Sequence, residues 1–440
     1  MLPDPTLPAS LLIVVGNARG CFTGPSFRVF CVLVAGLVTA PGRATVCAML
    51  AGAGLGAVWP HQRVHRFFSA VPWCPDLVGI VLSHMVIRLL IAEGVAVTVV
   101  VDDTLFERTG PKVFGAAWQH DGAAKAAHPV GYGTCFVVLG VLVWLPFCVR
   151  PVCLPVLARL WRPGGEHTKV ELAAVMIRRF AAAHRHRRVH VVADGAYHGP
   201  SLRGLPDRLT FTTRAPVNAV LFELPPPRTG RCGRPRLKGQ RLGAREVAAI
   251  VDTTGATVTR YRHRARVRIG ERRCLWYGSW HTRVLRLIVV AEIGAAAKTT
   301  PLLLLTTDLD TPAKDLITRY SHRWSIEVTF EQARAHLAAG QAQVRTHHAV
   351  ERTVPFALYC YTIITCWYTL YGYQTHDIAE RRAQAPWYTS KTEPAFADMI
   401  GKLRRVIIAA RFSAIDPAHP TDTEIRAVQH AWAAASTNAA

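Results

Sequence analysis

The chain has 440 residues, half of them hydrophobic and 18% charged, so it is long enough for several domains, and wholesale disorder is excluded. Its 52 Lys and Arg outnumber 29 Asp and Glu to give a net charge of +23, which favours a polyanionic partner such as nucleic acid. The eleven cysteines show no Cys-x-x-Cys or finger spacing, which argues against a disulfide framework or structural zinc and predicts reduced thiols in a cytoplasm.

Residues 1–90 are predicted to be helical, with Thr23 or Ser26 starting one helix that Pro41 interrupts. Two apolar stretches, 30–40 and 136–149, fall short of the roughly 20 residues that a membrane-spanning helix needs. We therefore predict a buried helix and a buried strand there, and no contact with a membrane.

From about residue 95 the pattern changes from helices to strands. The predicted strands are 97–102, 112–118, 136–145 and, after a helix, 189–193. The helix begins at the capping box formed by Thr168 and Glu171. Three strands, a helix and a strand are the order of a ribonuclease-H-like core, so the expected fold class is α/β.

A mostly β insertion is predicted to interrupt this core, because short alternating runs are separated there by Pro and Gly clusters. Its predicted strands are 209–213, 217–224, 246–252, 257–268 and 285–291. The run 302–305 then returns the chain to the core. The predicted organisation is a helical N-terminal region (1–90), the first part of the core (91–205), the insertion (206–299), the second part of the core (300–375) and a helical C-terminal region (376–440).

Three carboxylates occupy positions where they could hold a metal. Asp102 and Asp194 each follow a β-branched run, and Glu327 lies in a helical stretch. A lone Asp after a strand is commonly a turn residue, but buried carboxylates are costly unless a cation neutralises them. Two acids at strand ends and one on a helix can hold two Mg²⁺ for phosphodiester chemistry.

The helix that carries Glu327 is predicted to present one polar stripe beside an apolar stripe. The polar residues, spaced by three or four, are Tyr320, Arg323, Glu327, Glu331 and Arg334. By itself this pattern also fits a surface helix with i,i+4 Arg–Glu pairs, each worth only a few tenths of a kcal/mol. The strand-end acids favour the functional interpretation.

With these motifs, the chain resembles the DDE-type insertion-sequence transposases that carry a β insertion between the second Asp and the Glu. The matching motifs are Asp102-Asp103-Thr104, Ala193-Asp194-Gly195-Ala196-Tyr197, and Tyr320-x-x-Arg323-x-x-x-Glu327 followed by a basic residue at Arg334. The resemblance implies a ribonuclease-H-like catalytic core and cut-and-paste DNA transposition with two Mg²⁺, for which Mn²⁺ can substitute. It also implies double-stranded DNA partners (inverted-repeat ends and target DNA), a homodimer in the DNA complex, and a bacterial, nucleoid-associated location.

The resemblance implies roles for individual residues. Asp102, Asp194 and Glu327 would be the catalytic metal ligands, and Tyr320, Arg323 and Arg334 would contact phosphates. The family has Lys where this chain has Arg334, which keeps the charge but changes its geometry. The Asp-x-Thr pattern favours Asp102 as the first ligand. Asp103, on the opposite face of the strand by alternation, is the alternative, or else a support of the site or part of a core polar network.

A basic segment at 230–239 contains Arg234, Arg236 and Lys238 around a Gly-Arg-Pro sequence that resembles an AT-hook. A basic loop of the insertion that clamps the DNA backbone is the preferred interpretation, and readout of the A·T minor groove is the alternative.

Two other functions compete with an active transposase. A transposase-derived DNA-binding protein with decayed chemistry would need no intact acids, yet all three are present. A glycosidase using paired carboxylates would have little need for the excess positive charge. Two roles stay open for the N-terminal helices: binding the transposon end or dimerisation.

Overall fold

The structure is a computed structural model that describes residues 6–40, 42, 45–122, 129–216, 218–227, 234–243, 252–260, 263–294 and 301–412. Helices fill the described part of the first ninety residues, where the apolar spacing predicts them. They are α1 (Ala9–Gly16), α2 (Gly24–Thr39), α3 (Val46–Gly52), α4 (His61–Ser69) and α5 (Pro75–Leu90).

Helix α2 is the buried helix expected from the first apolar stretch. Thr23 is its N-cap and accepts a hydrogen bond from the Ser26 backbone N–H at 3.4 Å. At Gly36 a Cβ would lie 1.9 Å from the Met49 carbonyl oxygen, so only glycine allows α2 and α3 to approach this closely. Within the described ranges, no helix has the length and apolar character needed to cross a membrane.

The described strands form one large mixed sheet. They are β1 (Val97–Glu107), β2 (Ala117–His120), β3 (Val130–Val143), β4 (Val152–Trp161), β5 (Val189–Ala193), β6 (Leu209–Arg214), β7 (Val220–Phe222), β8 (Arg241–Gly243), β9 (Thr253–Arg260), β10 (His263–Leu275), β11 (Val284–Glu292) and β12 (Leu302–Thr306). Their order is β2-β3-β1-β5-β6-β12-β11-β10-β7-β8, with β4 paired to β3 and β9 paired to β10.

At the centre of the sheet, five strands lie in the order β4-β3-β1-β5-β6. Strand β3 is antiparallel to β1 and β4, whereas β5 is parallel to both β1 and β6. Helix α6 (Lys169–Ala183) connects β4 to β5 and begins at the predicted capping box. The Glu171 N–H donates to Thr168 Oγ1 at 3.2 Å, and the Thr168 N–H donates to Glu171 Oε2 at 2.7 Å.

Strand β4 is absent from the sequence prediction because Pro155 lies inside it, and proline cannot donate to a sheet ladder. In the structure Pro155 pairs with Gly140 directly beside a register shift of β3. A bulge of this kind tolerates the missing N–H. The predicted order of three strands before the helix is therefore wrong by one strand, with β2 a short strand outside the central five.

Strand β6, which lies just after the predicted start of the insertion at residue 206, pairs in parallel with β5 in the central sheet. The predicted strand 257–268 is a hairpin, β9 followed by β10. Strands β11 and β12 continue the same sheet, and β12 pairs with β6. The predicted strand 246–252 lies outside the described residues except for Asp252.

Of the remaining helices, the first lies between β10 and β11, and the others follow β12 in the chain. They are α7 (Tyr277–Trp280), α8 (Ala313–Ser321), α9 (Ser325–Leu337), α10 (His347–Trp367), α11 (Asp377–Gln384) and α12 (Phe396–Phe412). Helix α9 packs on β4 and β1, which brings it over the strand that carries the first acid. The C-terminal tail beyond residue 412 lies outside the described residues.

Candidate active site

The register of β1 and β5 brings the first two acids together. Val101 pairs with Ala193, the last residue of β5, and the next residues are Asp102 and Asp194. Two carboxylates therefore lie side by side at the point where β5 ends. The prediction that Asp102 ends its strand is wrong, because pairing with β3 extends β1 as far as Glu107.

Glu327, the third acid, is connected to Asp102 by the side chain of Arg323. The Nη1 of Arg323 donates to Asp102 Oδ2, and its Nη2 lies 3.0 Å from Glu327 Oε1. The side chains of Arg323, Asp102 and Glu327 are 14%, 15% and 34% exposed. One partly buried guanidinium thus joins the acid of β1 to the acid of α9.

The electrostatics of the site show more negative charge than Arg323 neutralises. Burial raises the pKa of Asp102 to about 7, although Arg323 acts in the opposite direction, and Asp103 and Asp194 add to the rise. Burial also raises the pKa of Glu327, opposed by Arg323 and reinforced by Asp194. The Asp194 carboxylate is therefore close enough to repel both other acids, and the three share a single cation.

The helix around Glu327 differs from the predicted continuous stripe. Tyr320 lies in α8, Arg323 lies in a 3₁₀ turn at His322–Trp324, and Glu327 lies in the first turn of α9. The turn separates the two helices and lets α9 pack on β4. Ser325 Oγ donates to the carbonyl of Pro151, the residue before β4, at 2.8 Å. Thr329 Oγ1 donates to the carbonyl of Cys153 on β4, also at 2.8 Å. These tertiary bonds, which the helical period does not encode, explain the break.

Tyr320, predicted to contact phosphate, is 4% exposed and belongs to an apolar cluster that includes Val192, Leu316 and Ile317. The Tyr320 phenol is also close enough to Arg323 to raise the pKa of that guanidinium, so the phosphate contact stays a prediction. The position of Tyr320 anchors α8 against the sheet just before Arg323.

Arg334, predicted to contact a phosphate, binds β1 in the DNA-free structure. Its Nη2 donates to Thr104 Oγ1 and to the Leu105 carbonyl at 2.9 Å, and its guanidinium lies 5.2 Å from the centroid of the Phe106 ring. All three partners are on β1, directly after the two aspartates. Arg334 therefore fixes the far end of α9 to the strand that carries Asp102.

The basic segment is described only from residue 234 onward. Arg234 and Arg236 are exposed, as a DNA-contacting loop requires. The Lys238 ammonium lies 4.1 Å from the centroid of the Phe222 ring and 4.7 Å from that of Tyr277. Part of its charge is thus held over aromatic rings. The segment 230–233 lies outside the described residues.

Asp103 faces away from these acids, as strand alternation predicts. It accepts hydrogen bonds from the Lys169 ammonium at 2.5 Å and the Tyr197 hydroxyl at 2.7 Å. The geometry therefore favours Asp102 as the ligand and assigns Asp103 to a polar network. Lys169 was not predicted from the sequence, where its only signal is its place as the first residue of α6.

Two other groups of side chains in the described part of the chain bring three metal-binding atoms within 4.8 Å of one another. They are His347, His348 and Glu351, and His376, Asp377 and Glu380. The three acids of the site are not so compact, because the Arg323 guanidinium stands between Asp102 and Glu327.

Comparison with known families decides the class of protein. Residues 19–281 match the family described as DDE superfamily endonuclease. The chain belongs to this family. Membership indicates endonuclease activity on DNA, and nucleases of this superfamily generally use divalent metal ions. The matched range includes Asp102 and Asp194 but ends before Glu327, so the third acid rests on the structure. Among curated proteins no match is found.

Proposed function

We propose that this DDE superfamily endonuclease is an insertion-sequence transposase that cuts DNA at the ends of its element and transfers them to a target. The observation that carries the proposal is the meeting of Asp102, Asp194 and Glu327, which come from three distant segments of the chain, around Arg323. A partly buried group of three acids around one guanidinium is costly for the fold alone. It is an arrangement expected of a functional site.

The topology supports a ribonuclease-H-like core. Counting only the five central strands, the order is third, second, first, fourth, fifth, and only the second is antiparallel to its neighbours. Asp102 lies within the first of these strands, beside the carboxyl end of the fourth, and Asp194 directly follows that end. Ligand sites in open α/β sheets are expected outside the carboxyl ends of parallel strands.

The donor set fits hard divalent cations. Carboxylate oxygens are the ligands that Mg²⁺ and Mn²⁺ prefer, and three carboxylates around the Arg323 guanidinium leave negative charge that a cation can neutralise. Asp102, Asp194 and Glu327 would hold the two ions. When bound, two Mg²⁺ would activate water or a DNA 3′-hydroxyl and stabilise the leaving oxygen.

Arg323 would change partners as DNA arrives. A guanidinium binds phosphate in the same bidentate manner as it binds carboxylate, so the DNA backbone competes with Asp102 and Glu327 for it. Its transfer to phosphate would free both acids to serve as ligands. Arg334 would hold α9 in register with β1 during this exchange. No Ser or Cys nucleophile takes part.

The wider surface would bind the DNA backbone. Arg234 and Arg236 on the insertion would contact phosphates, with the net charge of +23 adding long-range attraction. The proposed DNA complex is a homodimer on paired inverted-repeat ends, in a bacterial cytoplasm and close to the nucleoid.

The test is cleavage by the purified full-length protein of a plasmid that carries the element with its flanking DNA. We expect cuts at the element ends with Mg²⁺ or Mn²⁺, and cleavage about 10³-fold slower for Asp102→Asn. Cleavage by Asp102→Asn at the wild-type rate would contradict the mechanism. Tight DNA binding without cleavage in either metal would favour the alternative, a catalytically decayed DNA-binding protein.

A further inference from the structure

Asp103 is a junction between three elements on the face of β1 that the acids do not use. Its Oδ1 accepts a hydrogen bond from the Tyr197 hydroxyl at 2.7 Å. Its Oδ2 accepts from the Lys169 ammonium at 2.5 Å and from the Cys135 thiol at 3.4 Å. The donors come from the turn after β5, from the start of α6 and from β3.

The bond from Tyr197 ties the turn that carries Asp194 to β1. Tyr197 is 1% exposed, and its backbone N–H donates to the Asp194 carbonyl at 3.0 Å. The Thr213 hydroxyl donates to the same carbonyl at 2.7 Å. The turn is therefore closed on itself, held to β6, and connected through the Tyr197 hydroxyl to Asp103, the covalent neighbour of Asp102.

Lys169 supplies the charge that makes this junction stable. A carboxylate on a largely buried face needs a counterion, and the Asp103 side chain is only 20% exposed. The Lys169 ammonium neutralises it and lies 4.8 Å from the centroid of the Trp161 ring. Hydrogen bonds to a carboxylate are shorter and stronger than those between neutral groups. Lys169 therefore stabilises the charged hydrogen-bonded link between Asp103 of β1 and Tyr197, in the turn after β5.

We propose that Tyr197, Asp103 and Lys169 are positioning residues that fix Asp194 relative to Asp102, so that both can bind the same cations. This inference rests on the proposed function. The three residues touch neither DNA nor cation and act only through the two acids. Partners that orient metal ligands typically contribute about 10- to 100-fold to metal affinity or activity.

The test compares two tyrosines in the full-length protein. Tyr197→Phe removes only the hydroxyl that reaches Asp103. Tyr359→Phe is the control, since Tyr359 is equally buried in α10 and its hydroxyl lies beside Gly79 of α5. Calorimetric titration with Mn²⁺ in the presence of duplex DNA should show about tenfold weaker binding for Tyr197→Phe and wild-type binding for Tyr359→Phe.

Lys169 provides a second measurement that separates charge from packing. Lys169→Met should weaken Mn²⁺ binding by about tenfold, whereas Lys169→Arg, which keeps the charge, should restore most of it. DNA affinity should stay unchanged in Tyr197→Phe and Lys169→Met, because neither side chain touches DNA in the proposed complex.

The inference is overturned if Tyr197→Phe binds Mn²⁺ as wild type does, or if Tyr359→Phe loses as much affinity as Tyr197→Phe. If the wild type binds Mn²⁺ and cuts DNA while Tyr197→Phe is unaffected, only the positioning role fails. If the wild type neither binds Mn²⁺ nor cuts DNA, the proposed function fails with it.

Discussion

The two faces of β1 at Asp102 and Asp103 give neighbouring carboxylates opposite environments. The Asp102 side chain faces Arg323 and the acids Asp194 and Glu327, and burial raises its pKa to about 7. The Asp103 side chain contacts the Lys169 ammonium, which neutralises it, and the Tyr197 hydroxyl, which donates a hydrogen bond to it. On the Asp102 face, three acids therefore share one guanidinium, whereas the carboxylate of Asp103 is neutralised and hydrogen-bonded within the fold.

This difference teaches that strand alternation alone does not identify a catalytic acid. It guarantees that only one of the two residues can face the site. Which one does so depends on the helix that covers each face, α9 on one side and α6 on the other. The face with uncompensated acids is the one that can accept a divalent cation.

The largest expected effect separates the two aspartates directly. Asp102→Asn removes a proposed metal ligand, and the loss of several kcal/mol of charge stabilisation corresponds to about 10³-fold slower cleavage. Asp103→Asn should cost about 10- to 100-fold, as expected for a group behind a ligand. Single-turnover cleavage rates measure both, and equal losses would contradict the assignment of Asp102.

A second substitution changes the charge on the Asp102 face. Arg323→Gln should slow cleavage about 10²-fold, because a donor to the reacting phosphate is removed. It should also strengthen Mn²⁺ binding to the DNA-free protein, because the guanidinium no longer competes for Asp102 and Glu327. Calorimetric titration measures this gain in Mn²⁺ affinity, which accompanies the loss of cleavage rate.

The matched control is Arg319→Gln, which breaks the ion pair of Arg319 with Asp308 at 3.1 Å, one helix earlier in the chain. Both variants should melt at lower temperature, since each leaves a partly buried acid unpaired. Only Arg323→Gln should change the affinity for Mn²⁺. An unchanged affinity in that variant would show that Arg323 does not block the ligands.

The raised pKa of Asp102 predicts that the stability of the metal-free protein depends on pH. Folded Asp102 keeps its proton up to about pH 7, whereas the unfolded chain releases it near the ordinary value of 3.8. Its contribution to the stability of the metal-free protein should therefore fall as pH rises between these values. Melting temperatures in EDTA test this, and Asp102→Asn should remove that part of the slope.

The same proton competes with the cation for Asp102. Below about pH 7, Mn²⁺ affinity should drop by about tenfold per pH unit, because the ligand must be deprotonated to bind. Titrations at several pH values measure the drop. A flat profile between pH 5 and 7 would contradict the raised pKa.

The smallest expected effect lies far from β1, on the insertion. Replacing Arg234 and Arg236 by Ala should weaken DNA binding by only a few fold and lower the salt slope by about one unit for each phosphate that is no longer neutralised. Cleavage at saturating DNA should not change. A weakening confined to A·T-rich ends would instead favour readout of the minor groove.

The sequence by itself determined the mixed α/β class of fold, and it predicted which acids form the site. The β-branched runs predicted β1 and β5, and the capping box at Thr168 and Glu171 predicted the start of α6. These features depend on residues close together in the chain, and local backbone preferences and caps act at that range.

Only the tertiary structure decided how the acids meet and what surrounds them. The extension of β1 past Asp102 depends on pairing with β3, and the break before α9 depends on bonds to β4. The partners of Asp103 come from α6 and from the turn after β5. Because such contacts join residues far apart in the chain, no local pattern encodes them, and packing fixes which charges become neighbours.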